Sequence, residues 1–399
     1  MLKVAVVTHY FPTSANPWEG HSAYQTLRKL AKLCDVHVFC SVVQYPKLLR
    51  PKKAAAYVDL AWTPPEVKVT YVPYTAVPAI SRAVNGYTIA RQVLPHVRAF
   101  QPDIILSYVV YPQGFAAVRI ARKLKVPAVI TAIGSDLNRI ADPLCGVLTR
   151  RTLREADFTT TVSQDLCDTA RRLGAAPGRS RAKKNGCDTG IFYPRDRAAA
   201  RQELNLDPDQ EVIVYVGRLD LRKGLGELIE AVGNLQATRP KIHCYIIGSG
   251  PDQAVLADSM AKFNVSGAIT FVPSCMTAQI AVWMGAADVV TLPSYSEGCP
   301  NVVIEALGSG RPVVATRVGG IPELMDDTSG RLVPARDVPA LAKALGDVLS
   351  QTWDPVALSH RHSRSWSDTA QDLMEILTEV LPHGAAAQNS APPPQSVQF

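Results

Sequence analysis

Short apolar runs rich in β-branched residues recur along this chain, separated by helix-like stretches. That alternation limits the fold more than any other feature. In the first half the runs cover residues 4–8, 36–40, 67–72, 104–109, 128–132 and 158–162; in the second, residues 212–216, 243–247, 269–272, 289–292 and 313–316. A strand with one face in water alternates polar with apolar side chains. Continuous apolar runs spaced by helices instead imply parallel sheets covered on both faces. A chain of 399 residues, 47% hydrophobic, has enough apolar content for two such domains. The reading is therefore an α/β protein of two doubly wound, Rossmann-like domains, each with its own sheet.

The most chemically specific segment is Ser294-Tyr-Ser-Glu297-Gly298-Cys-Pro300-Asn301-Val302-Val303-Ile-Glu305. It follows the strand-like Ala287-Asp-Val-Val-Thr-Leu-Pro293. Strand, loop and helix start make an anion site, because unpaired backbone N–H groups and the positive helix end converge there. Pro300 suits the first helical position, where a missing N–H costs nothing. Glu297 falls in the loop and Glu305 one to two turns into the helix. A phosphate at Asn301 and Val302 would then have a carboxylate on either side to accept hydroxyl hydrogen bonds. Diphosphate plus two sets of hydroxyls describes a nucleotide sugar. Arg218 and Lys223 follow the first strand of the second half, at the strand end where open sheets bind ligands. A guanidinium fork and a compact ammonium there suit a departing diphosphate.

Val216-Gly217-Arg218-Leu…Lys223-Gly224, Gly248-Ser-Gly250-Pro251, Glu297-x7-Glu305, Val318-Gly-Gly-Ile-Pro-Glu323 and Gly330-Arg-Leu-Val-Pro334 occur in this order. The set resembles the donor-site signature of retaining glycosyltransferases of family 4 and covers most of residues 185–380. The resemblance implies two domains facing across a cleft (the GT-B fold), with a last helix crossing back to the first domain. It implies that Arg218 and Lys223 stabilise the leaving diphosphate, that Glu297 holds the transferred sugar and that Glu305 holds the ribose. Gly217, Gly250, Pro293, Gly298, Asn301, Val302 and Val303 would complete the donor site, the last three through backbone N–H groups. In the first domain, His9, Gly20, His21, Ser135 and Asp136 are the candidates on the acceptor side. The family often reads His-Gly-x-Asp where this chain has Ile133-Gly134-Ser135-Asp136, so a hydrogen bond to the donor sugar is lost or supplied elsewhere; Asp136 alternatively caps the next helix. The implied chemistry is sugar transfer from a nucleotide-diphosphate co-substrate to a sugar or lipid-linked hydroxyl, with retention, no metal and no cofactor. Two alternatives use the same motifs: a nucleotide-sugar epimerase of this fold, and a non-catalytic nucleotide-sugar-binding protein.

Charge is uneven. Residues 1–188 hold 26 Lys+Arg against 12 Asp+Glu, net +14, while the remainder is net −7. The basic clusters are Lys47…Arg50…Lys52-Lys53, Arg150-Arg151…Arg154, Arg171-Arg172 and Arg179…Arg181…Lys183-Lys184. They suggest peripheral contact with an anionic membrane rather than nucleic acid. No uninterrupted apolar stretch is long enough to span a bilayer. The start reads as a strand rather than a signal peptide, and the eight cysteines show no CxxC spacing, so a cytoplasmic protein with free thiols is expected. His360-x-His362 lacks companion metal ligands. Expected boundaries are a first domain at 1–188, a donor domain at 189–366, a crossover helix at 367–383 and a disordered tail at 384–399.

Overall fold

A computed structural model describes residues 1–51, 58–78, 81–138, 140 and 142–381. The chain forms two compact units. One comprises Met1–Val162, Leu166–Lys183 and the chain from Thr369 on; the other comprises Ser163–Asp165 and Lys184–Asp368.

The first unit holds a parallel sheet of β1 (Lys3–Thr8), β2 (Asp35–Gln44), β3 (Lys68–Thr75), β4 (Ile104–Tyr108), β5 (Ala128–Ala132), β6 (Phe158–Thr161) and β7 (Ser180–Ala182). Its spatial order is β3-β2-β1-β4-β5-β6-β7. All five residues of β4 and of β5 are buried, as strands covered by helices on both faces must be. β3 runs through Pro73, tolerated because β3 lies at the sheet edge and owes no second ladder of hydrogen bonds. The helix Trp366–Val380 sends Ala370, Leu373, Ile376 and Leu377 into this unit's core beside Val4, Leu27 and Leu106.

The second unit holds β8 (Glu211–Val216), β9 (Ile242–Ile247), β10 (Ile269–Val272), β11 (Val289–Leu292), β12 (Val313–Thr316) and β13 (Gly330–Val333). They are again parallel, in the order β10-β9-β8-β11-β12-β13. Every apolar run expected to be a strand is one. β7 and β13 are additional. Both are edge strands, Ser-Arg-Ala and Gly-Arg-Leu-Val, and carry no continuous apolar run because only part of each is buried.

In both sheets, chain order reverses at the middle: between β1 and β4 in the first, and between β8 and β11 in the second. Loops leaving the carboxyl ends of such neighbours diverge to opposite faces and open a crevice, the general ligand position of open α/β sheets. The tail 384–399 and Lys52-Lys53 lie outside the described residues.

Candidate functional site

The crevice of the second sheet is built from the loops after β8 and β11. After β8 come Gly217, Arg218 and a short 3-10 turn, Leu221–Lys223. After β11 comes the loop from Pro293 to Pro300, then the helix Asn301–Gly308. Lys223 Nζ lies 2.6 Å from Glu297 Oε1, a charge-assisted contact that joins the two loops. The pair is sheltered: the Glu297 side chain is 12% exposed and that of Lys223 30%. Arg222 binds Asp220 through two guanidinium nitrogens and holds that carboxyl well below its ordinary range. Arg222 is thereby occupied, whereas the exposed Arg218 makes no ion pair among the described residues.

Glycines let these loops touch. Gly224 adopts φ +70°, and a Cβ there would stand 2.0 Å from the Pro293 carbonyl oxygen. The β8 and β9 loops are joined in the same way. Gly217 N–H donates to the Ile247 carbonyl at 3.0 Å, and a Cβ on Gly250 would meet the Leu219 carbonyl at 2.1 Å. The Gly298 carbonyl accepts the Gly320 N–H at 3.0 Å, so the Val318–Gly320 motif supports the Glu297 loop from beneath.

The helix start differs from expectation by one residue. Pro300 is the N-cap, extended at ψ 116°, and Asn301 is the first helical residue. The Pro300 carbonyl accepts from Val303 N–H at 3.2 Å. Val303 is therefore already engaged, and the first-turn donors left without an intrahelical acceptor are those of Asn301 and Val302. The Asn301 side chain is held by Asn185, whose Nδ2 donates to Asn301 Oδ1 at 2.9 Å and contacts the Cys299 carbonyl at 3.4 Å. The link from Asn185 to this helix spans 116 residues. Glu305 points no carboxylate oxygen at any donor among the described residues. Burial pushes its carboxyl up to about 7. Burial, and after it the negative charge of Glu305, raises the Cys187 thiol to about 12. Glu305 itself is half-buried, so its carboxylate stays open to hydroxyl donors from a ligand.

In the first unit, His9 follows β1, and its Nδ1 is buried with no hydrogen-bond partner among the described residues; burial lowers its pKa, and Gln113 partly offsets this. Gly20 is the N-cap of the helix His21–Leu30, with φ +63°. A Cβ there would lie 2.3 Å from the Tyr10 carbonyl, so contact within the loop already accounts for this glycine. His21 opens that helix. Ser135 is exposed at the start of the short helix Ser135–Asn138. Asp136 is tied to backbone: Oδ1 accepts from Ile133 and Gly134 N–H at 3.1 and 2.9 Å, and Oδ2 from Val110 N–H at 3.0 Å. It anchors the turn after β4, where Val109 sits at φ +73°, a strained conformation for a β-branched residue.

The residues from 196 to 368 match the family model of glycosyl transferases group 1, and those from 20 to 186 match that of a glycosyl transferase 4-like domain. The chain is 30% identical to TuaC of Bacillus subtilis, a glycosyltransferase named for teichuronic acid biosynthesis, over 97% of this chain and 96% of TuaC. The chain belongs to the group 1 glycosyltransferases. A D-inositol 3-phosphate glycosyltransferase of Mycobacteroides abscessus is 35% identical over 61% of this glycosyltransferase and 57% of its own length. Among solved structures, sucrose-phosphate synthase from Thermosynechococcus elongatus superposes with TM-score 0.72 at 23% identity, covering 97% of this chain and 98% of the other. Anabaena HepE in complex with UDP gives 0.71 at 18% identity, covering 95% and 100%. These likenesses establish the GT-B fold.

The basic surface of the first unit is smaller than its residue count. Lys183 is 3% exposed, Arg171 turns inward onto Ser180, and Arg181 pairs with Glu379 at 2.8 Å. These side chains secure the edge strand β7 instead of forming an open patch. No helix of the described residues is long and apolar enough to cross a membrane. No group of three or more His, Cys, Asp or Glu among them is arranged to hold a metal ion.

Proposed function

We propose that this glycosyltransferase moves a sugar from a nucleoside-diphosphate donor to an acceptor hydroxyl, with retention and without a metal, in the synthesis of a cell-envelope polysaccharide or glycolipid. The observation that carries the reading is the Lys223–Glu297 pair, which joins the loops after β8 and β11 at the reversal point of the second sheet. The arriving diphosphate takes Lys223, Arg218 and the N–H groups of Asn301 and Val302. Glu297, released from Lys223, accepts from hydroxyls of the sugar. Glu305 accepts from the ribose hydroxyls, which supply the donors its carboxylate lacks. As the bond from the anomeric carbon to the β-phosphate oxygen breaks, negative charge grows on that oxygen beside fixed cations, which stabilise the transition state more than the ground state. The acceptor oxygen bonds to the anomeric carbon on the same face, and its proton passes to the leaving phosphate oxygen. The likeness to TuaC over nearly the full length of both chains supports an envelope polymer as the acceptor.

The two glutamates separate in a binding experiment. Glu305→Ala weakens binding of a free nucleoside diphosphate by about ten-fold or more, as expected for hydroxyls that lose a charged acceptor. Glu297→Ala leaves that affinity nearly unchanged and impairs use of the intact sugar donor. Calorimetry with UDP and with its sugar conjugates measures both; equal losses in the two variants count against the assignment.

Because two cations stand where a metal would neutralise the diphosphate, EDTA leaves turnover largely intact. Complete loss on chelation, restored by Mg²⁺ or Mn²⁺, reverses the proposed mechanism. Incubation with nucleotide sugars alone tests the class of reaction: epimerisation needs no acceptor, and a binding protein consumes nothing.

A further inference from the structure

The second unit holds a cavity of about 320 Å³ against the helix Asn301–Gly308. That volume falls at the small end of the range for ligand sites. Ile304 and Leu307 of the helix make its apolar wall. They lie on a different face of the helix from Glu305, so the cavity is separate from the ribose position. The rest of the wall is polar and cationic. Lys184, Arg361 and Arg364 line it together with His362. The helix Pro355–His362, which packs against Asn301–Gly308, delivers Arg361 and His362 from its last turn. Lys184 Nζ donates to the Glu323 carbonyl at 2.6 Å, which fixes the ammonium at the wall.

Two carboxylates also line the cavity, and both are turned to donors of the chain. Glu323 accepts from the backbone N–H groups of Gln164 and Asp165 at 2.8 and 3.0 Å. Asp368 accepts from the N–H and the hydroxyl of Ser365 at 2.8 and 2.9 Å. His362 differs from them. Its Nε2 is buried and has no hydrogen-bond partner among the described residues. Burial lowers its pKa, and Arg361 and Lys184 lower it further against the charge of Asp326, so both cations act on the ring. Thr328 Oγ1 takes one N–H of Arg361 at 2.6 Å, out of the five that a guanidinium carries.

We propose that this cavity is a binding site for a phosphate group, carried by inorganic phosphate or by a small phosphomonoester. A tetrahedral oxyanion presents several acceptors at once, which suits cations converging from Lys184, Arg361 and Arg364. It also gives His362 a partner. Ring and phosphate share one proton: a neutral Nε2 accepts from a P–OH group, and a protonated one donates to a phosphate oxygen. A divalent cation fits badly, because positive charge surrounds it and both carboxylates already hold donors. An apolar ligand would leave Nε2 unmatched. Ile304 and Leu307 offer an apolar wall to the carbon part of a phosphomonoester. No step of the proposed sugar transfer uses these residues.

Calorimetry on the full chain measures the site. The probes are inorganic phosphate and glycerol phosphate, each titrated without UDP and with UDP at saturation. UDP fills the donor site, so phosphate that still binds is bound elsewhere. One equivalent binds under UDP with a Kd of about 1 mM or tighter, as a few charge-assisted contacts provide. Tighter binding of glycerol phosphate identifies a phosphomonoester as the occupant; equal or weaker binding identifies phosphate itself. Arg361→Gln and His362→Phe each weaken phosphate binding about ten-fold. Lys343→Gln, at an exposed lysine paired with Asp347 outside the cavity wall, leaves it unchanged. UDP affinity stays at the wild-type value in all three variants, which shows that they are folded. If no phosphate binds under saturating UDP, or if Lys343→Gln weakens binding as much as Arg361→Gln, the site is wrong. UDP affinity and donor turnover in that case leave the glycosyltransferase reading standing.

Discussion

Lys223→Ala and Arg218→Ala each lower turnover by about two orders of magnitude or more, the loss expected when a donor aimed at developing transition-state charge is removed. The fold survives both. Arg218 is exposed and makes no ion pair among the described residues. Losing the Lys223–Glu297 contact, 2.6 Å long and partly open to solvent, costs about 1 kcal/mol or less of stability. The two variants differ in one respect. Lys223→Ala also frees Glu297 for the sugar hydroxyls, so its KM for the sugar donor rises less than that of Arg218→Ala. Lys223→Arg restores charge in a different shape and recovers part of the loss. Steady-state kinetics with thermal melts on the same samples measure all of this. Near-normal turnover in both alanine variants removes the diphosphate assignment.

Gly224→Ala produces the other large effect, and it acts on fold and site together. Its backbone is left-handed at φ +70°, and the added methyl would stand 2.0 Å from the Pro293 carbonyl, a main-chain atom that cannot swing aside. Strain and clash together cost about 3 kcal/mol or more. Relief requires the β8 and β11 loops to separate, which pulls Lys223 from Glu297 and lowers turnover at least a hundred-fold for a misplaced group of this kind. Gly226→Ala is the control. It lies two residues on, inside the helix Leu225–Gln236, with nothing within 4 Å of the new methyl. It is neutral or stabilising by about 0.5–1 kcal/mol. Urea unfolding of both variants decides the point; equal midpoints would show that the two loops do not depend on this contact.

The strands were legible in the chain because parallel strands buried on both faces must be apolar throughout, and these runs are short and rich in β-branched residues. β7 and β13 escaped because an edge strand is covered only in part, and Ser180-Arg181-Ala182 carries no run to read. The ordered donor motif was equally legible, since Gly224, Gly248, Gly250, Gly319, Gly320 and Gly330 each lie so close to another main chain that a Cβ would collide with it. Pro300 was placed one residue too far into the helix. Its fixed φ suits either position, and only ψ, set by the Val303 contact, tells them apart.

Charge was the least readable property. A count of +14 says nothing of which side chains are spent internally, as Arg171, Arg181 and Lys183 are, and which remain on the surface, as Arg91 and Arg150 do. By itself the sequence determined the α/β class, the two sheets and the residue types able to grip a diphosphate, because periodicity and turn chemistry are local. Only the tertiary structure decided that Lys223 meets Glu297 across 74 residues, that Asn185 braces Asn301, and that Asp136 is committed to backbone donors. Those contacts depend on strand order. Strand order follows from how helices of different segments pack over each sheet, a sum of long-range contacts that no local window contains.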